Sequence, residues 1–157
     1  MAKIENPLFL SLYANNVEKI LEQTGNIDEA NQKLRDLGME LGQHLFLTTE
    51  IASKTKDTIQ TREDVSKLIE TTFKTLFDRK PTELDMESAR GSIRVADKDC
   101  IFCQDVNLEG MRGFGYCEVF SGILESLLKF KGVDVKVFQE MSKATGAEMC
   151  VWNVRLT

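Results

Sequence analysis

Four cysteines and one histidine are the residues of this chain with the clearest chemistry, and all four thiols fall in its C-terminal part. Cys100-Ile-Phe-Cys103 follows an alternating segment, Cys117 opens an apolar helical pattern, and Cys150 stands in a strand pattern with Trp152. A C-x-x-C pair just after a strand is how many zinc knuckles begin. A cysteine at a helix start gains thiolate character from the helix dipole. Soft thiolates in tetrahedral number select zinc, or less often iron. On this reading Cys100, Cys103, Cys117 and Cys150 are metal ligands. The competing reading makes Cys117 and Cys150 small buried apolar residues, with Cys100 and Cys103 as exposed loop thiols. A thioredoxin-type redox pair needs a helix directly after the first cysteine, and Gln104-Asp-Val-Asn-Leu-Glu-Gly110 does not start one. His44 sits beside Leu41 and Leu45 on a helical pattern and reads as a boundary residue rather than a ligand. Without further histidines no Ser-His-Asp or Cys-His-Asp triad is available, and Gly110, Gly113 and Gly115 lack the lysine of a phosphate loop. Glu118, Glu125 and Glu140 have nothing to separate them from surface carboxylates. The expectation is a protein without catalytic activity.

The elements that must position these residues change character midway. At 157 residues the chain suits one domain, residues 1–157. Its net charge of −5, with both signs interspersed, excludes a basic nucleic-acid surface. No apolar run has bilayer length, and Met-Ala-Lys-Ile-Glu-Asn-Pro is no signal peptide, so a cytoplasmic protein with at most peripheral membrane contact is expected. Asn6-Pro7 caps a first helix to Gln23, with Leu10, Tyr13, Val17, Ile20 and Leu21 inward. A second runs from Asn26 to about Lys54 on Ala30, Leu34, Leu37, Leu41, Leu45 and Ile51. Its Gly38 and Gly42 each cost ~1 kcal/mol relative to Ala, which a close helix crossing would explain. Thr61-Arg-Glu-Asp64 caps a third helix to Phe77.

Beyond Pro81 the period becomes two. Strands are expected near Thr82–Ser88 and at Ser92-Ile-Arg-Val-Ala, paired across Ala89-Arg-Gly91. A fourth helix, Tyr116 to Phe130, presents Cys117, Phe120, Ile123, Leu124, Leu127 and Leu128. Strands through Val133, Val135, Val137 and through Cys150, Trp152, Val154 follow. The order implies an α+β fold, helices packed on a small four-stranded antiparallel sheet. Phe9, Leu12, Phe46 and Leu47 lie beside the core stripes; they widen the core, line a ligand pocket with Phe120 and Trp152, or form a dimer seam. The surplus of apolar stripe over sheet area points to a homodimer through the first three helices, with Gly38 and Gly42 near a crossing.

From Ser92 to Trp152 the chain resembles the four-vinyl-reductase domain of hydrocarbon-binding proteins, on Cys100/Cys103, on Cys117/Phe120/Gly122/Leu124 and on Gly146/Cys150/Trp152. That family usually has a further cysteine where Ser142 stands. The N-terminal half, Asn31-Gln-Lys-Leu-Arg-Asp-Leu-Gly-Met-Glu-Leu-Gly-Gln-His-Leu45, is similar to the second helix of the palmitoylated TRAPP vesicle-tethering subunit. The combination suggests a prokaryotic, archaeal-like relative of TRAPP subunits. The resemblance implies a dimeric scaffold of the TRAPP-like fold with room for a fatty acid or other apolar ligand. Its implied partners are related TRAPP-like subunits and a small GTPase. Thr48–Thr61 holds no cysteine, so a thioester there is not expected. Subunits that contact a GTPase extend beyond the last strand, so nucleotide exchange by this chain alone is not expected either. The alternatives are a metal-binding sensor and an accessory of tetrapyrrole (vinyl-reductase-type) metabolism.

Overall fold

Pro7, with its fixed φ and missing amide hydrogen, stands at the first turn of helix α1 (Pro7–Gln23). The computed structural model describes residues 7–86 and 91–157; the Asn6 cap, the end of the expected Thr82–Ser88 strand and the Ala89-Arg90 turn fall outside them. Asn26 accepts the amide of Glu29 and caps α2 (Ile27–Thr48). The expected helix to Lys54 is in fact two. Thr48 and Thr49 turn their hydroxyls back onto the carbonyls of His44 and Leu45, and Thr49 is extended. β-Branched residues that bond their own preceding turn compete with helix continuation, so the chain breaks there and restarts as the short α3 (Ile51–Lys54). Thr61 accepts Asp64 N and caps α4 (Arg62–Phe77), as its capping box predicts, and the helix buries Val65, Leu68, Ile69, Phe73 and Leu76.

Strands β1 (Glu83–Asp85) and β2 (Ser92–Asp97) pair antiparallel. A loop with a 3₁₀ turn at Ile101–Cys103 leads to α5 (Glu118–Phe130), then to β3 (Val135–Met141) and β4 (Cys150–Leu156). The sheet order is β1-β2-β4-β3, all antiparallel. The α+β reading with a four-stranded antiparallel sheet is therefore correct.

Helix α5 is buried on nearly every side, from Glu118 through Leu128. Its Phe120 meets Trp152 of β4 and Phe73 of α4, each with ring centroids 5.1 Å apart. Against its other side lies α2, and here the expected stripe needs one correction. The buried residues of α2 are Ala30 and Leu34 followed by Gly38 and Gly42; Leu37 and Leu45 pack partly buried against the core, whereas Leu41 is exposed. The stripe holds except at Leu41, and the closest contact with α5 is a backbone crossing at the glycines. A Cβ on Gly38 would stand 2.9 Å from the Cα of Gly122, and one on Gly122 would stand 2.8 Å from the Cα of Gly38. Gly42 faces Ser126. Gly38 and Gly42 thus lie at a helix crossing within the chain rather than at one between chains.

The sheet end nearest the cysteines is tied down by a buried ion pair. Arg79, just past α4, grips Asp97 with two 2.6 Å bonds and also donates to Asp99 O. Pairing with Asp97 holds the Arg79 guanidinium above its usual pKa. Asp97 is 1% exposed, so removing the cation leaves a buried carboxylate whose remaining side-chain partner among the described residues is Thr82 Oγ1. Arg79→Ala is expected to cost about 2–3 kcal/mol, below the usual 3–5 for a buried pair because the arginine is partly exposed. Urea denaturation with an unchanged m-value checks this.

Candidate metal centre

Three separate elements carry the four cysteines to one point. Asp97, the last residue of β2, is in register with Cys150, the first of β4. Three residues past Asp97 the chain reaches Cys100, and the 3₁₀ turn with Cys103 N donating to Cys100 O folds the knuckle over the strand ends. Cys117 occupies the N-cap of α5, one turn before Phe120 enters the core. Its amide donates to Gln139 Oε1 on β3 and its carbonyl accepts Trp152 Nε1. The ligand positions are therefore held by the sheet and by the central helix.

The Sγ atoms lie within 4.8 Å of one another. Cys103 Sγ is 2.9 Å from Cys117 Sγ and 3.5 Å from Cys150 Sγ, Cys100 Sγ is 3.3 Å from Cys117 Sγ, and Cys117 and Cys150 are 4.0 Å apart. Zn–S bonds of ~2.3 Å in a tetrahedron place sulfurs ~3.8 Å apart, and these separations bracket that edge. No pair forms a disulfide. Cys100 and Cys103 are 4% and 7% exposed, and Cys117 and Cys150 are fully buried. The reading of exposed loop thiols at Cys100 and Cys103 is thereby excluded. A cleft of about 300 Å³, lined by Asp99, Gln104, Asp105, Lys143 and the two knuckle cysteines, gives an ion a way in.

Contact with the other three sulfurs pulls the Cys103 pKa far below the usual thiol range. Burial pushes Cys100 and Cys117 well above it, and Lys143 N donates to Cys150 Sγ at 3.5 Å. A divalent ion that binds these sulfurs releases their protons as it binds. Ser142, at the position of the further cysteine, lies 3.8 Å from Cys103 Sγ. It borders the cluster, while four sulfurs already fill a tetrahedron.

Other expected site residues separate. Phe120 and Trp152 are sealed in the core. Phe46 stacks on Phe130, rings 4.9 Å apart, and Leu47 is 82% exposed. The four do not line one ligand pocket: where α2 leaves α5, positions 46 and 47 pass the end of the core. His44 is exposed and stands apart from the thiols.

Several residues around the centre gave no signal in the sequence. Glu118 and Glu125 are buried, not surface carboxylates. They accept the amides of Gln139 and Val137 on the edge strand β3, which protects that edge from strand addition. Glu118 also pairs with Arg35 and Ser121, and burial raises its pKa despite these partners. Asn31 ties α2 to the glycine loop through Gly113 O and Gly115 N. Over the knuckle lies Tyr13, whose hydroxyl donates to Tyr116 O. Burial pushes the Tyr116 phenol up to about 12. Only Phe102, inside the C-x-x-C pair, could have been picked out from its position.

The family model of transport protein particle (TRAPP) components matches residues 9–157. The chain belongs to the TRAPP component family. No curated protein matches it. Among solved structures, the chain is similar to a trafficking protein particle complex subunit 3 from Naegleria fowleri, covalently bound to palmitic acid. The TM-score is 0.82 at 15% identity, over 96% of this chain and 93% of that one. At that identity the likeness is one of fold. No helix among the described residues is long and apolar enough to cross a membrane.

Proposed function

We propose that this TRAPP component is a non-catalytic scaffold subunit, clasped by a zinc ion on Cys100, Cys103, Cys117 and Cys150, whose N-terminal helices dock a second chain of the same fold. The observation that carries this reading is the closure of the thiol centre. Four buried sulfurs fill a tetrahedron and leave no open position for substrate, the pattern of structural rather than catalytic zinc. Zinc bound there would supply a cross-link between the knuckle, α5 and β4, not a Lewis acid. Exposed Leu8 and Leu12 of α1, 65% and 54% accessible, supply apolar surface for a partner, and family membership in a particle points to a related chain. We take the simplest partner, a second copy. Glu118 and Glu125 block the β3 edge to strand pairing for this contact.

Any acyl chain carried here is held without a thioester, because all four cysteines of the sequence stand in the cluster. In this the chain departs from the Naegleria protein with its covalent palmitate. The setting is the cytoplasm, with contact to a membrane at most peripheral.

Native mass spectrometry of the purified protein is expected to show two chains with one metal ion each. Leu12→Glu is expected to shift the mass to one chain without loss of metal. A wild-type monomer at micromolar concentration in light scattering overturns the docking reading, and a metal-free mass after purification without chelator overturns the clasp.

A further inference from the structure

The docking of α1 depends on residues that belong to the metal turns. Tyr13 and Val17 are the buried residues of this helix. The Tyr13 ring lies 5.3 Å from Phe102 and 5.4 Å, edge-on, from Tyr116, and its hydroxyl donates to Tyr116 O. Phe9, one turn earlier, also meets Phe102, at 6.4 Å. Phe102 stands between Cys100 and Cys103, and Tyr116 directly precedes Cys117. Both rings that seat Tyr13 are thus carried by ligand-bearing turns. Between these turns the chain is loop, with left-handed glycines at Gly110 and Gly113, pinned at Gly113 and Gly115 by Asn31 and at Leu108 by Ala144 O, and Phe102 also packs on Phe77 and Phe120, but none of these contacts joins Phe102 to Tyr116 directly. A metal held by Cys100, Cys103 and Cys117 ties the two together.

We infer that metal occupancy is the latch for α1: the loaded centre holds the Phe102–Tyr116 seat together, and loss of the ion releases Tyr13 and with it the helix. This rests on the zinc reading above. The consequence reaches beyond the site. A helix in a protein draws most of its stability from the packing of its apolar face, so an α1 released from Phe102 and Tyr116 melts, and the face bearing Leu8 and Leu12 is lost. Metal status then decides whether the subunit can take its partner.

Hydrogen exchange on the full chain, zinc-loaded and chelator-treated, tests the latch. Amides of α1 are expected to exchange at least about tenfold faster on chelation, with a smaller change in α4. Phe102→Leu keeps all four thiols and separates the seat from the metal. It is expected to retain one zinc per chain by elemental analysis and to show fast α1 exchange even when loaded. If metal binds and its removal lowers the melting temperature, but α1 protection is unchanged, the latch is overturned and the clasp stands. A rise shared equally by α1 and α4, in the chelated protein and in Phe102→Leu, also overturns it. A protein that takes up no zinc overturns the clasp and the latch together.

Discussion

Gly38→Ala is expected to be among the most damaging single-methyl additions to this chain, and Gly122→Ala its equal. An added Cβ at Gly38 would stand only 1.9 Å from the carbonyl oxygen of Val119, and one at Gly122 only 2.0 Å from that of Arg35. Both obstacles are backbone of the opposing helix, so no rotamer change relieves them; α2 and α5 must move apart along their crossing. Alanine's better helix propensity returns ~1 kcal/mol, but overpacking at a backbone contact outweighs it, for a net loss of about 3 kcal/mol. For a chain of this size that is roughly 6–12 °C in melting temperature. Gly42→Ala is expected to cost less, because its nearest obstacle, Ser126 Cβ at 2.7 Å, stands farther off than the carbonyl oxygens facing Gly38 and Gly122. The double variant Gly38→Ala/Gly122→Ala tests the mechanism. Once the helices have separated for the first methyl, the second meets less, so the losses should fall short of additive. Additive losses, or a Gly38→Ala protein as stable as wild type by thermal denaturation, would refute a tight crossing.

That crossing also marks where the sequence could and could not be read. The capping box at Thr61 locates α4, and its inward face is simply the face of large apolar side chains, Val65 to Leu76. On α2 the same rule finds Ala30 and Leu34 but not the tightest contact, at Gly38 and Gly42. There distance of approach, not side-chain area, sets the stability, and the buried positions are the small ones. Gly38 and Gly42 were noticed for their cost in a helix, yet their partner Gly122 emerges only when α5 is laid against α2. The thiols were legible for a related reason: cysteine is rare enough that type and spacing carry information. The residues that seat and neutralise the cluster are not rare. Tyr13, Asn31 and Gln139 act through contacts far apart in sequence, and Glu118 and Glu125 look like any surface carboxylate until β3 is laid alongside.

Removal of the metal is expected to have the largest effect of all. Structural zinc in a four-thiolate site is worth ~10 kcal/mol or more of binding free energy, which the folded state alone collects. With free zinc at ~1,000 times its dissociation constant, linkage gives about 4 kcal/mol of stabilisation, or roughly 8–16 °C at 2–4 °C per kcal/mol. Excess chelator should therefore lower the melting temperature of the wild type by about that amount. Cys117→Ser supplies the control that packing alone cannot imitate. Cys117 is fully buried, so its replacement has a packing cost whether or not an ion is present. Were the cluster only four small buried side chains, that cost would be the same with and without chelator, and chelator would leave the wild type unchanged. With a metal clasp, wild type and Cys117→Ser differ widely when loaded and, when chelated, by the packing cost alone, since the variant has little metal to lose. Acid should act in the same direction as chelator: each ligating thiol must give up its proton, so the zinc-dependent part of the melting temperature should shrink as pH falls from about 8 to about 6. Scanning calorimetry of both proteins, each with zinc and with chelator, separates the two cases in a single set of measurements.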